Sequence, residues 1–296
     1  MAWHKASFEG MSGLELQTES LRLFIVTEFG PRIAFLGRPE GDNLLFWDNK
    51  NLGRNDWLLR GGHRVWMTRP GADESEDCYR PDNEPCDVQI EGDSITATSA
   101  IDPLLQVRRG IEISLIDRNR LSVDNFVINA GDMLYSGGVW ALTCTNPKPG
   151  WTYGIPLGDD SVWDCFRLVV FRKWAGHTSP VNDSQISFTE DMLLVNPQGI
   201  ETKRLIEAQH GIMAMNAPDA GTTFIKRADY DRTAQYPMGC NLAFYVGPDN
   251  FMVEMESMGG EVALKPGETA HNVETWLLTD EAIGLESASK ILEISL

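Results

Sequence analysis

The chain is poor in cysteine, poor in basic charge and without any long apolar run. Its 296 residues include five cysteines, at positions 78, 86, 144, 165 and 240, and no Cys-x-x-Cys pair. An odd, scattered set makes no disulfide framework and points to reduced thiols in a cytoplasm. The spacing of Cys78 and Cys86 is too loose for a zinc motif, so no metal is expected. No apolar stretch approaches the ~20 residues that span a bilayer, and Met1-Ala2-Trp3-His4-Lys5 opens no signal peptide. Lysine and arginine number 25 against 43 acidic residues, a net charge of -18. That balance repels phosphate backbones and anionic lipids, so neither nucleic acid nor membrane is an expected partner. Gly-x-Gly-x-x-Gly, the P-loop and Gly-x-Ser-x-Gly are also missing, which removes the usual signals of nucleotide cofactors and serine hydrolases.

Helical periodicity is scarce as well. Thr202 to Ala208 reads as one or two turns, and Asp280 to Leu296 as a short terminal helix with Asp280 as its N-cap. Strand signals fill the rest. Leu21–Val26, Arg32–Leu36, Ser94–Ala100, Gly110–Ile116, Leu121–Ile128, Val139–Cys144, Arg167–Lys173, Gly211–Asn216, Thr222–Lys226, Asn241–Val246, Phe251–Ser257 and Val273–Leu278 mostly alternate apolar and polar residues. Asp117-Arg118-Asn119-Arg120 suits a hairpin loop. The lack of βαβ alternation argues against a parallel doubly wound sheet, and an all-β antiparallel architecture is expected. Two long loops, Trp66–Pro85 and Asn146–Asp160, carry aromatics and prolines in a way that suits functional loops. No repeat or linker divides the chain, so a single domain over residues 1–296 is expected.

The densest chemistry lies in Arg60-Gly61-Gly62-His63-Arg64-Val65-Trp66. Glycine permits a turn or a close approach. Arginine offers a planar fork of donors for hydroxyls or an anion. Tryptophan offers a flat apolar face and histidine a proton near neutral pH. Together they read as one wall of a sugar-sized site.

Three segments resemble the galactose-mutarotase-like superfamily, an antiparallel supersandwich that binds carbohydrate. They are Phe29-Gly30-Pro31-Arg32-Ile33 with Asp42-Asn43-Leu44-Leu45; the Arg60–Trp66 run; and Phe251 through Glu256, Gly259-Gly260 and Lys265-Pro266-Gly267-Glu268-Thr269, closed by Val273–Leu278. The chain shares with one bacterial branch of that fold Gly-Gly-His-Arg, Tyr79–Pro85, Trp140–Thr143 and Tyr236-Pro237 before Gly239-Cys240. The resemblance runs over nearly the whole chain. It implies a β-supersandwich and a general base on a late strand, which here matches Glu254. It also implies a mid-chain histidine as acid, but Ser136–Leu142 holds none. Met238 stands where that branch often has an acidic residue.

Opening a pyranose takes one group that removes the anomeric proton and another that protonates the ring oxygen. Glu254 and Glu256, two apart on a strand, share a face, and close carboxylates raise one another's pKa. The expected catalytic pair is therefore Glu254 as base and His63 as acid, with His177 and His210 as the other histidines available. Arg60, Arg64, Arg80, Trp66, Trp140 and Glu256 are the expected substrate contacts, and either Arg60 or Arg64 is the expected partner of Asp82 or Glu84. The expected function is an epimerase or mutarotase acting on a free or acidic sugar without a cofactor. The alternatives are a non-catalytic sugar-binding or sensing protein, and a sugar-acid lyase or hydrolase.

Overall fold

The computed structural model describes residues 3–52, 58–69, 78–158, 166–174 and 176–288. Two antiparallel sheets of ten strands each make up the architecture. The first runs, edge to edge, His4–Phe8, Met11–Gln17, Arg22–Val26, Arg32–Gly37, His63–Met67, Val139–Thr145, Val253–Met258, Leu242–Val246, Thr202–Glu207 and Arg167–Val170. The second runs Ile186–Phe188, Met192–Val195, Thr152–Pro156, Ile212–Ala217, Thr222–Ala228, Thr269–Leu278, Arg120–Asn129, Val107–Asp117, Ser94–Thr98 and Asp87–Glu91.

The alternation read from the sequence supplies the core between them. Leu23, Ile25, Val65, Val253 and Met255 of the first sheet meet Ile111, Ile113, Val123, Met213 and Phe224 of the second in one cluster. Each such side chain contributes ~1.5–3 kcal/mol on burial. A second cluster lies on the other face of the first sheet: Trp66, Trp140, Leu142, Leu205, Ala243 and Met258, covered by Cys78 and Cys240. The first sheet is therefore buried on both faces at its centre. Its middle strands, His63–Met67, Val139–Thr145 and Val253–Met258, are buried at every residue.

Three expectations are corrected. Thr202 to Ala208 is not helical: Thr202–Glu207 is a strand beside Leu242–Val246, because both of its faces have apolar surface to cover. Trp66 belongs to the strand His63–Met67 rather than to a loop. The stretch 146–160 contains the strand Thr152–Pro156, held between Met192–Val195 and Ile212–Ala217. At the C-terminal end, residues 285–288 are helical, and the rest of the expected helix lies outside the described residues. The hairpin at 117–120 forms as read, with Asp117 paired to Arg120.

Candidate functional site

Register fixes which side chains share the outer face of the first sheet, the face turned away from the second sheet. Lys203, Tyr245, Glu254 and Cys144 stand opposite one another on successive strands. One step along, Leu205, Ala243, Glu256, Leu142 and Arg64 do the same. A third row places Trp66, Trp140 and Met258 together. Glu254 and Glu256 thus share a face, and Val253 and Met255, which alternate with them, point into the inter-sheet core.

The two carboxylates are in different electrical surroundings. Glu256 is fully buried, with both oxygens 2.7–2.8 Å from the Lys203 ammonium and one accepting the Trp140 indole N–H at 2.7 Å. Glu254 is 7% exposed. Its Oε1 lies 3.5 Å from Arg64 Nη2 and accepts the Cys144 thiol at 3.3 Å. Burial, and then the neighbouring Glu256 charge, push the Glu254 carboxyl up to about 7, against the opposing pull of Arg64 and Lys203. The Cys144 thiol is itself pushed well above its ordinary range, first by burial and then by Glu254. The site therefore holds one neutralised carboxylate and one whose proton is exchangeable near neutral pH.

His63 is not part of this face, which corrects the expectation that it shares a hollow with Glu254. Its ring is fully buried between the sheets. Nδ1 lies 2.9 Å from Thr143 Oγ1 and Nε2 2.7 Å from Asn125 Oδ1, and the edge of the ring meets Trp276 at 4.8 Å. Burial pushes its pKa down to about 4. Behind it, Lys226 reaches Glu274 at 2.7 Å and donates to Thr143 at 3.0 Å, and Glu274 accepts Ser257 and the Trp276 indole. Burial alone would raise the Glu274 carboxyl, but Lys226 and His63 hold it below its ordinary range. His63 is a member of a satisfied inter-sheet network.

The Gly-Gly turn accounts for the arginines. Gly61 and Gly62 have φ of 82° and 71°, and a Cβ on Gly62 would stand 2.2 Å from the Ile33 carbonyl. This kink ends the strand Leu58–Gly61 and starts His63–Met67. It leaves the Leu59 carbonyl as a shared acceptor for Arg64 Nη1 at 3.1 Å and Arg32 Nη1 at 2.9 Å. Arg64 also lies over the Trp66 ring at 4.1 Å. Arg60 stacks on Phe29, its guanidinium carbon 3.4 Å from the ring centre, and donates to Asn83 at 3.2 Å. Its Nε and Nη1 have no hydrogen-bond partner among the described residues, and burial pushes its pKa down to about 10. Asp82 pairs with Arg32 rather than with either expected arginine. Arg80 turns toward Asp102, Nε to Oδ2 at 2.9 Å, and lines a separate cavity of about 250 Å³ with Asp82, Asp102 and Arg109. Its backbone carbonyl accepts the Trp66 indole at 3.2 Å. Trp66 and Trp140 pack on each other and on Tyr79, with ring centres 5.0–6.3 Å apart.

No sequence-family model matches the chain, and no curated protein matches it. Solved structures do. A galactose mutarotase-like protein from Clostridium acetobutylicum superposes with a TM-score of 0.59 at 12% identity, covering 94% of this chain and 98% of that one. A provisionally assigned aldose 1-epimerase from Escherichia coli K12 gives 0.59 at 12% identity, covering 90% and 98%. This chain has the galactose mutarotase-like fold. A TPR-domain containing protein from Parabacteroides distasonis is also similar, with a TM-score of 0.60 at 17% identity over 94% of this chain, which spans only 48% of that one.

On this mutarotase-like scaffold, the sheet brings together Glu254, Glu256, Arg64, Trp66 and Trp140 of the expected residues, holds Arg60 against Phe29 and Asn83 instead, and separates His63 and the Arg80 side chain. Sequence reading missed Lys203, Arg32 and Cys144. Lys203 was hidden by reading 202–208 as helix, since strand alternation would have put Lys203 and Leu205 on one face. Arg32 lay in the quoted Gly-Pro-Arg-Ile motif, but nothing local linked it to Asp82, fifty residues away.

Proposed function

We propose that the protein is a carbohydrate-active enzyme, an aldose 1-epimerase-like isomerase acting on a free or acidic sugar. One observation carries this reading: Glu254 is a nearly enclosed carboxyl with a pKa of about 7, beside Arg64 and on the same face as Trp66 and Trp140. In its ionised form it takes the proton from the anomeric hydroxyl. The O–H pair becomes the new C1=O bond as the C1–ring oxygen bond breaks, and the ring oxygen receives a proton from an acid. Rotation about C1–C2 and reclosure give the other anomer. Arg60 and Arg64 bind hydroxyls or a carboxylate, and the indole walls exclude water. Only protons move, so the chemistry calls for no redox or organic cofactor.

A second reading, a non-catalytic sugar-binding or sensing protein, draws on a different observation. The strand for which the resemblance implied a histidine, Ser136–Leu142, holds none, and its Trp140 donates to Glu256. Saturation-transfer NMR on a panel of aldoses and hexuronic acids separates the two. Anomer exchange faster than in buffer, lost by 10²-fold or more in Glu254→Gln, is the result expected of the enzyme. Binding without acceleration supports the sensor. Disappearance of the sugar would instead point to lyase or hydrolase chemistry.

A further inference from the structure

The loop over residues 78–84 has two sides. One carries Cys78 and Tyr79, which pack on Trp66 and Trp140, and the Arg80 carbonyl, which accepts the Trp66 indole. The other carries the side chains of Arg80, Asp82 and Asn83, which line the cavity of about 250 Å³. Its facing wall is the connection from Ser94–Thr98 to Val107–Asp117, with Ser99, Ala100 and Asp102, and Arg109 joins it from the second of those strands. The loop therefore stands between this cavity and the Trp66–Trp140 cluster.

Most polar atoms of these walls are accounted for. Asp102 Oδ1 accepts the Leu104 and Leu105 N–H groups, both at 2.9 Å, and its Oδ2 accepts Arg80 Nε at 2.9 Å. Arg109 donates through Nη1 to the Arg80 carbonyl at 3.3 Å and through Nη2 to the Pro81 carbonyl. Asp82 Oδ2 accepts Arg32. Two atoms are left over. Arg109 Nε and Asp82 Oδ1 have no hydrogen-bond partner among the described residues, although Arg109 is only 5% and Asp82 7% exposed. Buried polar groups are nearly always bonded, so an orphan donor and an orphan acceptor on residues of one cavity mark a place for ligand atoms. The charge is also out of character with a chain of net charge -18. Arg80 and Arg109 line the cavity, Arg32 is bonded to Asp82, and Arg60 is bonded to Asn83. The acids lining it are the buried Asp82 and Asp102, and Glu84, which is exposed at the rim. Burial lowers the Arg109 pKa, and Asp82 and then Asp102 oppose the shift, which puts those two carboxylates within electrostatic reach of the guanidinium.

We propose that this cavity is a second ligand site, which takes a small polyhydroxy carboxylate. The ligand carboxylate binds Arg80 and the orphan Nε of Arg109, whose planar guanidinium donors suit it. A ligand hydroxyl donates to Asp82 Oδ1. One molecule thus satisfies both orphan atoms. A carboxylate without hydroxyls would leave Asp82 Oδ1 unpaired beside a like charge, and a neutral polyol would leave the arginines without a counter-charge. The cavity is smaller than the ~300–1,000 Å³ of sites for drug-sized ligands, which limits the occupant to one sugar-acid-sized molecule. The site does not depend on the reading of Glu254, because its ligand needs no anomeric carbon.

The test titrates the full chain with D-gluconate, D-sorbitol and hexanoate, chains of equal carbon number that carry hydroxyls with a carboxylate, hydroxyls alone and a carboxylate alone. Proton–nitrogen NMR follows the backbone amides of Ser99, Ala100, Ile101 and Asp102. Gluconate is expected to shift these amides to saturation, with a Kd at least about tenfold below that of either other probe. Arg80→Gln is expected to raise the gluconate Kd by about tenfold or more. Ala100→Trp fills the cavity from an exposed lining position that belongs to neither ion pair, and is expected to abolish the shifts while circular dichroism stays that of wild type. It carries the test even if Arg80→Gln fails to fold. The proposal is overturned if gluconate leaves residues 99–102 unmoved or shifts only Arg64, Trp66 and Glu254 on the outer face. It is overturned equally if sorbitol or hexanoate binds as tightly as gluconate, or if folded Ala100→Trp keeps the wild-type Kd.

Discussion

His63 and Glu254 lie on opposite faces of one sheet, a single register step apart. His63 stands opposite Thr143, and Thr143 opposite Met255. The histidine therefore shares the inward face of Met255, and Glu254, one residue back along its strand, faces outward. The imidazole is spent on joining the two sheets, and the carboxylate is left to the outer face with Arg64.

The rising limb of anomer exchange against pH should have a midpoint of about 7, because the base must be ionised and burial, followed by Glu256, has raised its pKa to that value, and exchange should fall again at the pH where the acid loses its proton. Saturation-transfer rates collected from pH 5 to pH 9 measure this. A midpoint near 4.5, the ordinary value for a glutamate, would mean that Glu254 is solvated in solution.

His63 should contribute an acid-labile share of stability. Its native pKa is lowered from 6.5 to about 4, mainly by burial. As pH falls below 6.5 the unfolded chain takes up the proton first, so this share is complete above about pH 6.5 and is lost toward pH 4. It amounts to ~3 kcal/mol at most. His63→Gln should lose ~1–3 kcal/mol at pH 7 through its buried hydrogen bonds. Its urea-unfolding free energy should then fall less steeply than that of wild type between pH 6.5 and pH 4. Parallel pH curves for the two proteins would contradict this. Exchange by the folded variant should stay within about threefold of wild type.

The buried Lys203–Glu256 pair should be costly to break and cheap to replace. Lys203→Met leaves Glu256 without its cation in a site closed to water, at a cost of about 3–5 kcal/mol. The double variant Lys203→Met/Glu256→Gln should recover at least half of that loss in chemical denaturation. A loss below about 1 kcal/mol in the single variant would show a pair open to solvent.

Gly62 should tolerate no side chain. Alanine there meets both a φ of 71° and the Ile33 carbonyl at 2.2 Å, and is expected to cost at least about 2 kcal/mol and to displace His63–Met67 with its Arg64 and Trp66. Gly92 has a φ of 62° and open space around it, so Gly92→Ala should show the backbone effect alone, about 1 kcal/mol. Thermal unfolding of the two variants gives the comparison, and equal losses would remove the steric part.

Several parts of the site were readable along the chain. Alternation put Glu254 and Glu256 on one side and Val253 and Met255 on the other, and the structure has them so. The same rule, applied to His63 and Arg64 as adjacent strand residues, already forbade both from lining one hollow. The cluster of chemistry around Gly61-Gly62 obscured that. Arg80 was misplaced for another reason: it follows a turn, where no periodicity constrains direction, and its partner Asp102 is far along the chain.

The sequence by itself determined twelve of the twenty strands of the two sheets and the two-residue rhythm that sorts side chains onto faces, because those depend on neighbours a few residues apart. Only the tertiary structure decided which face of the first sheet would be sealed by the second, and hence that Arg64 and Glu254 would meet while His63 would be enclosed with Asn125 and Trp276. That choice depends on how twenty strands cover one another's apolar surface, a property of long-range packing that no local window of residues contains.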